Sequence, residues 1–287
     1  MRTRLLPLLL AIPLMTNAEN APIATTKPTL DVGIIVSDMD QAKAFYRGVL
    51  GLKETAPLPM PDGTSMIRYL SGTATIKLRA FPKAPKYPGG IRTAVGFRLL
   101  TLYFSDLGPI LQRWAAAGGA EPRRSTGLTK GSQVAFLADP DGNQFELVGM
   151  PPDIDVAGLD KIAVGLTVSN VERSREFYGK VLGLSEDEPV ALSGAKEYRF
   201  MAGKTQIKFW PGSGDNLPSH TGNITDALGF RYFTFMVNDL DATAARLKSA
   251  GAKIVLEPRD FGAIARIMMV SDPDGTWIEF ASVKPRP

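Results

Sequence analysis

The chain has 287 residues, no cysteine, one histidine, and 33 Lys and Arg against 29 Asp and Glu, a formal net charge of +4. Lack of cysteine excludes disulfide support, thiol nucleophiles and thiolate metal sites. The basic residues are dispersed rather than massed, which excludes nucleic acid as the main partner.

In chain order, Met1-Arg2-Thr3-Arg4 forms a basic head, Leu5 to Met15 an apolar run too short to span a bilayer, and Thr16-Asn17-Ala18 a small-residue cleavage site. That pattern predicts a secretory signal over residues 1–18 and an exported protein, periplasmic or secreted. Its removal lowers the net charge from +4 to +2. No later stretch has the length of a membrane span, so no membrane association is expected after cleavage. A Pro/Thr/Ala leader follows over 19–28.

The rest is a duplication. Phe45-Tyr46-Arg47-Gly48-Val49-Leu50-Gly51-Leu52 recurs as Phe177-Tyr178-Gly179-Lys180-Val181-Leu182-Gly183-Leu184, Gly96-Phe97-Arg98 as Gly229-Phe230-Arg231, and Asp106-Leu107 as Asp239-Leu240, at offsets of 132 or 133 residues. Such constancy predicts two homologous modules, 29–150 and 158–283, joined by a proline-led linker, 151–157, with a tail at 284–287.

Module one opens on an apolar strand, Val32–Val36. Asp38 can cap the next helix, whose apolar face is Ala42, Phe45, Tyr46, Val49 and Leu50, and Gly51 ends it. Strands are predicted near Met66–Leu70, Thr75–Phe81 and Phe97–Phe104, a helix over Leu107–Ala117, and two closing strands. Module two repeats the order with strands Ile162–Val168, Tyr198–Met201, Thr205–Trp210 and Tyr232–Val237, a helix capped by Asn170 and another over Ala242–Ala250. The expected architecture is α+β: two tandem modules, each a pair of βαβββ units forming a cup-shaped mixed sheet with helices on its outer face.

Each module closes on Asp-Pro-Asp-Gly, at Asp139–Gly142 and Asp272–Gly275, a composition that builds a tight turn. An alternating strand follows. Phe145 and Leu147 oppose Gln144 and Glu146; Ile278 and Phe280 oppose Trp277 and Glu279. A carboxylate thus stands mid-strand, opposite the apolar pair, in both copies.

The helix motif with Val-Leu-Gly-Leu, followed by Asp-Pro-Asp-Gly-x-x-x-Glu, resembles the vicinal oxygen chelate superfamily, which includes glyoxalase I, extradiol dioxygenases and bleomycin-resistance proteins. The resemblance covers nearly all of the chain beyond the leader and is specific for fold, weak for reaction. It implies metal ligands, usually His and Glu, on the first and last strands of each half. Module by module, those positions are Asp31, Lys77, Leu99 and Glu146, then Ala163, Lys208, Tyr232 and Glu279. Only the glutamates match. An extradiol-type iron site needs two histidines and a carboxylate, whereas the one histidine, His220, falls in a loop. The expected cofactor is therefore none, with a divalent metal between Asp31 and Glu146 as the weaker alternative, opposed by the charge of Lys77.

Glu146 and Glu279 are the candidate catalytic bases, or else ion-pair partners of Lys77 and Lys208. Candidate substrate-binding residues are Asp31, Lys77, Arg68, Lys208, Arg199, Tyr232 and Trp277: cations for an anionic group, aromatics for a flat or apolar body. The leading expectation is an exported protein that binds a small organic molecule in a cup, with a lyase or isomerase acting by proton abstraction as its catalytic form. The alternatives are a non-catalytic sequestering protein and a divalent-metal enzyme with an Asp/Glu site. The paired modules suggest a monomeric pseudo-dimer, or a homodimer.

Overall fold

The computed structural model describes residues 23–87, 89–151, 161–192, 194–219 and 223–284. The expected signal segment, leader residues 19–22, linker residues 152–157, the tail beyond Lys284 and His220 lie outside the described residues.

Four units follow one another, each a strand, a helix and three strands. The first holds β1 (Asp31–Val36), α1 (Met39–Lys43, prolonged by a π-helical stretch, Ala44–Val49), β2 (Lys53–Pro59), β3 (Ser65–Ser71) and β4 (Ala74–Ala80). The second holds β5 (Gly96–Phe104), α2 (Gly108–Ala116), β6 (Arg123–Thr126), β7 (Gln133–Ala138) and β8 (Gln144–Gly149). The third holds β9 (Ile162–Val168), α3 (Val171–Glu176, prolonged by Phe177–Val181), β10 (Ser185–Leu192), β11 (Ala195–Ala202) and β12 (Thr205–Pro211). The fourth holds β13 (Gly229–Met236), α4 (Leu240–Ser249), β14 (Lys253–Phe261), β15 (Ala265–Ser271) and β16 (Trp277–Val283). No helix among the described residues is long and apolar enough to cross a membrane.

Local chemistry sets the boundaries. Asp38 accepts hydrogen bonds from the amides of Asp40 and Gln41 at 2.8 and 3.0 Å, and Asn170 and Asp239 cap α3 and α4 in the same way. The first and third helices end at Gly51 and Gly183, both at φ 72°, a left-handed conformation that glycine adopts without steric penalty.

The strands order as β14-β15-β16-β13-β1-β4-β3-β2 in one eight-stranded sheet and β10-β11-β12-β9-β5-β8-β7-β6 in the other. Each sheet therefore joins one unit from each module. The seams are antiparallel: β1 runs against β13, with Asp31 opposite Thr234, and β5 against β9, with Thr101 opposite Ala163. Parallel pairing of β1 with β4 and of β13 with β16 then brings Lys77, Gly33, Tyr232 and Trp277 abreast across the first sheet.

The four strands at the sheet edges, β2, β6, β10 and β14, hold only exposed or half-buried residues and lie where the alternation pattern placed none. Their sequences, such as Lys53-Glu54-Thr55-Ala56-Pro57-Leu58-Pro59, carry charges and prolines that an edge tolerates because one side of the ladder faces solvent.

A continuous apolar core runs through both sheets. At its middle Phe97 of β5 stacks on Phe230 of β13, ring centroids 4.6 Å apart. The helix tyrosines read as packing residues also make a polar contact: Tyr46 and Tyr178 donate to Asp139 and Asp272 at 2.9 Å, tying each helix to the Asp-Pro-Asp-Gly turn. Burial, with the neighbouring Asp274 charge, pushes the Asp272 carboxyl up to about 6. The folded state thus binds this proton more tightly than the unfolded chain, where Asp titrates near ~3.9. The stabilisation is complete below about pH 4 and is lost as the pH rises through about 6, a change of about 3 kcal/mol. Denaturant unfolding of Asp272→Asn at pH 4 and pH 7 should show that contribution to the pH dependence removed.

Candidate functional site

The concave face of the first sheet carries a closed ring of three side chains. Lys77 Nζ of β4 donates to Thr234 Oγ1 of β13 at 2.6 Å and to Glu279 Oε2 of β16 at 2.8 Å, and the Thr234 hydroxyl donates to the same Glu279 oxygen at 2.6 Å. The second sheet carries the equivalent three residues with two of the three bonds: Lys208 Nζ of β12 reaches Glu146 Oε2 of β8 at 2.5 Å, and Thr101 of β5 donates to that oxygen at 2.6 Å. In both cups the glutamate's two donors converge on one oxygen.

These pairs cross the modules. Sequence order suggests that each glutamate meets the lysine of its own module, but Lys77 belongs with Glu279 and Lys208 with Glu146, because each sheet is built from units of different modules. The same exchange regroups the candidate ligand positions. Asp31, Lys77, Tyr232 and Glu279 share the first cup; Ala163, Lys208, Leu99 and Glu146 share the second.

Burial by itself would lower the Lys77 ammonium, but the charge of Glu279 and its hydrogen bond, with further help from Tyr232 and Asp31, outweigh it and hold the group above its ordinary value. Lys208 is likewise raised, burial being overcome by Glu146 and Glu197. For Glu146, burial would raise the carboxyl, yet Lys208, the Thr101 hydroxyl and Arg199 together hold it below its ordinary value. At neutral pH the second cup's pair is therefore an ammonium and a carboxylate.

The remaining candidates divide between the cups. Asp31 accepts from the Thr75 amide at 2.7 Å and pairs with Lys27. It lies on β1 and Glu146 on β8, in different sheets, so the Asp31–Glu146 metal pair is not assembled. Arg68 donates to the Ala56 carbonyl at 2.7 Å, and Arg79 pairs with Asp62 of the β2–β3 turn and reaches Thr64 at 3.2 Å. Arg199 instead meets Glu197 on its own strand, at 2.7 Å. Trp277 is half-buried beside Tyr232.

Tyr232 lies over Gly33, and the Lys77 ammonium sits 4.6 Å from its ring centroid. A Cβ at position 33 would fall 2.0 Å from Tyr232 Cε1, so only glycine lets this ring cover the strand. Burial, with Lys77 acting against it, pushes the phenol up to about 12. Gly33→Ala is expected to expel the ring and to reduce stability by about 2 kcal/mol, measured by denaturant unfolding, with a changed near-ultraviolet signal from the displaced tyrosine.

The residues present do not fit a divalent cation. Among the described residues, no three His, Cys, Asp or Glu side chains come together as a ligand set. The best oxygen donor of the first cup, Glu279, already holds an ammonium at the place where a cation would stand. A second positive charge there would be opposed at short range.

Sequence reasoning missed Thr101 and Thr234. The signal was available: they recur at the same 133-residue offset as Glu146 and Glu279, on the strand faces that alternation assigns to the cups.

Two eight-stranded sheets with helices packed on them, each sheet closing around a buried cup residue set from two repeated units, define the vicinal oxygen chelate fold. The chain belongs to the Glyoxalase/Bleomycin resistance protein/Dioxygenase superfamily, which it matches over residues 29–147 and 158–280. It is 23% identical over 267 residues to CFP32 of Mycobacterium bovis, which carries a provisional glyoxylase name, covering 89% of this chain and 94% of that one. A chloroplast protein of Arabidopsis thaliana, provisionally named a lactoylglutathione lyase, is 26% identical over 255 residues, 84% of this chain and 68% of that one. The crystal structure of glyoxalase I from Zea mays superposes with a TM-score of 0.69 at 20% identity, covering 88% and 92% of the two chains, a likeness of fold.

Proposed function

We propose that the protein binds a small organic molecule in its cups without a metal, a lysine ammonium taking the charge role of the cation. The carrying observation is the Lys–Glu ion pair with a threonine hydroxyl on the same carboxylate oxygen, present in both cups. An ammonium has three N–H donors; in the first cup Lys77 spends two on Thr234 and Glu279 and also meets Tyr232, whereas in the second Lys208 gives one to Glu146 and keeps others for a ligand oxygen. A protonated lysine in a partly desolvated cup is a strong partner for a carbonyl, enolate or carboxylate oxygen. Its glutamate keeps Oε1 for a ligand donor, since both bonds it accepts fall on Oε2. The test is a thermal-shift and calorimetric screen of small oxygenated organic compounds in the presence of chelator. Binding should persist with chelator and weaken in Lys77→Met or Lys208→Met. Binding that requires an added divalent metal would overturn the reading.

The provisional lyase name of the Arabidopsis relative favours a second reading, a lyase in which Glu146 or Glu279 takes a proton and the lysine steadies the oxyanion. For Glu146 its weakness is basicity, because a carboxylate held below its ordinary pKa drives proton abstraction poorly. Turnover of lactoylglutathione by chelator-treated protein, lost in a Glu→Gln variant, would favour it over simple binding.

The basic head and short apolar run support export with cleavage before Glu19, tested by N-terminal sequencing of protein from the culture medium and periplasm. The internal pairing of the two modules supports a monomeric pseudo-dimer, tested by light scattering.

A further inference from the structure

The two cups share the Thr–Glu–Lys residue set, but their surroundings have diverged in charge. In the second cup each cation is matched. Arg199 donates through Nε and Nη2 to Glu197 at 2.8 and 2.7 Å, Lys208 holds Glu146, and Asp187 of β10 stands directly across the ladder from Arg199. In the first cup those carboxylates are replaced. Met66 occupies the place of Glu197, and Thr55 stands opposite Arg68 where Asp187 stands opposite Arg199. Arg68 therefore meets only a backbone carbonyl, and its Nε is buried without a hydrogen-bond partner.

A third cation, Arg79, is added where the second cup carries Trp210. Its counter-charge, Asp62, is 49% exposed at the tip of a hairpin, and the buried Arg79 Nε also has no partner. Asp31 is already matched by Lys27. The first cup thus sets Arg68, Lys77 and Arg79 against Glu279 and the solvated Asp62, an excess of one positive charge. Two guanidinium Nε–H groups there are buried without acceptors, and a turn of either side chain toward the cup would satisfy it on an incoming anion. Trp277 and Tyr232 lie on the same concave face.

We propose that the first cup takes a small aromatic carboxylate, its anion set against Arg68 and Arg79 and its ring against Trp277, and that the second cup does not. This inference rests on the reading that the cups bind small molecules and specifies which cup and what charge. The test uses benzoate and its neutral analogue benzamide, titrated into the intact protein by calorimetry and by tryptophan fluorescence. Benzoate should saturate at one site per chain and benzamide bind at least ten-fold more weakly. Arg68→Gln should weaken benzoate about ten-fold, with partial recovery in Arg68→Lys. The fluorescence response should vanish in Trp277→Phe and survive in Trp210→Phe.

A response lost in Trp210→Phe instead would overturn the choice of cup while leaving small-molecule binding in place. Equal affinity for benzoate and benzamide, or no saturable benzoate binding, would overturn the charge assignment. Saturable binding indifferent to Lys77→Met, Lys208→Met and Arg68→Gln would remove this inference and the cup-binding reading together.

Discussion

Replacing Lys77 by methionine is expected to cost about 3 kcal/mol of stability, read as a fall of about 10 °C in the unfolding midpoint. The loss comes less from the missing ion pair than from what it leaves behind. Glu279 and Lys77 are 11% and 12% exposed, so the variant strands a carboxylate in a cup with only the Thr234 hydroxyl to bond it. A buried charge deprived of its partner carries its full desolvation penalty. The double variant Lys77→Met/Glu279→Leu should recover most of the loss, because removing both charges removes the penalty. Lys77→Met/Glu146→Leu should recover none, since Glu146 belongs to the other sheet. Recovery by Glu146→Leu would show that the cups form within modules.

The second large effect concerns the modules themselves. Residues 29–150 expressed alone would carry β1–β4 without the β13 seam and β5–β8 without the β9 seam. Each half-sheet would then expose an unpaired strand through the middle of a buried core, together with Lys77 or Glu146 lacking its partner. The module is expected to be recovered only as a homodimer that rebuilds both seams, or as aggregate, and never as a folded monomer. Size-exclusion chromatography with light scattering decides it. A stable, cooperatively unfolding monomer would contradict the exchanged pairing.

Much of this was legible in the residues. The duplication, the helix caps at Asp38 and Asn170, the alternation around Glu146 and Glu279, and the cup-facing lysines all rest on local spacing, and the structure keeps that spacing. What sequence could not supply is which copy meets which. The two modules present seam strands of the same apolar pattern, so periodicity assigns a face to Glu279 but no partner. Only the order of strands in the sheet gives it to Lys77 rather than to Lys208. The edge strands escaped for a different reason. With one side in solvent, β2 and β14 are released from the alternation by which a buried strand is read. The difference in charge between the cups was hidden because Met66 and Glu197, or Thr55 and Asp187, become equivalent only once the ladders fix their register.

We infer that a lysine ammonium stands at the heart of each cup in place of a metal cation. Elemental mass spectrometry of the purified protein, after exposure to an equimolar mixture of zinc, nickel, iron and manganese and removal of the excess, tests it most directly. The expected result is no metal at stoichiometric level, unchanged in Glu146→Gln and Glu279→Gln. About one metal per chain, lost in one of those two variants, would contradict it and would identify the cup in which the lysine gives way.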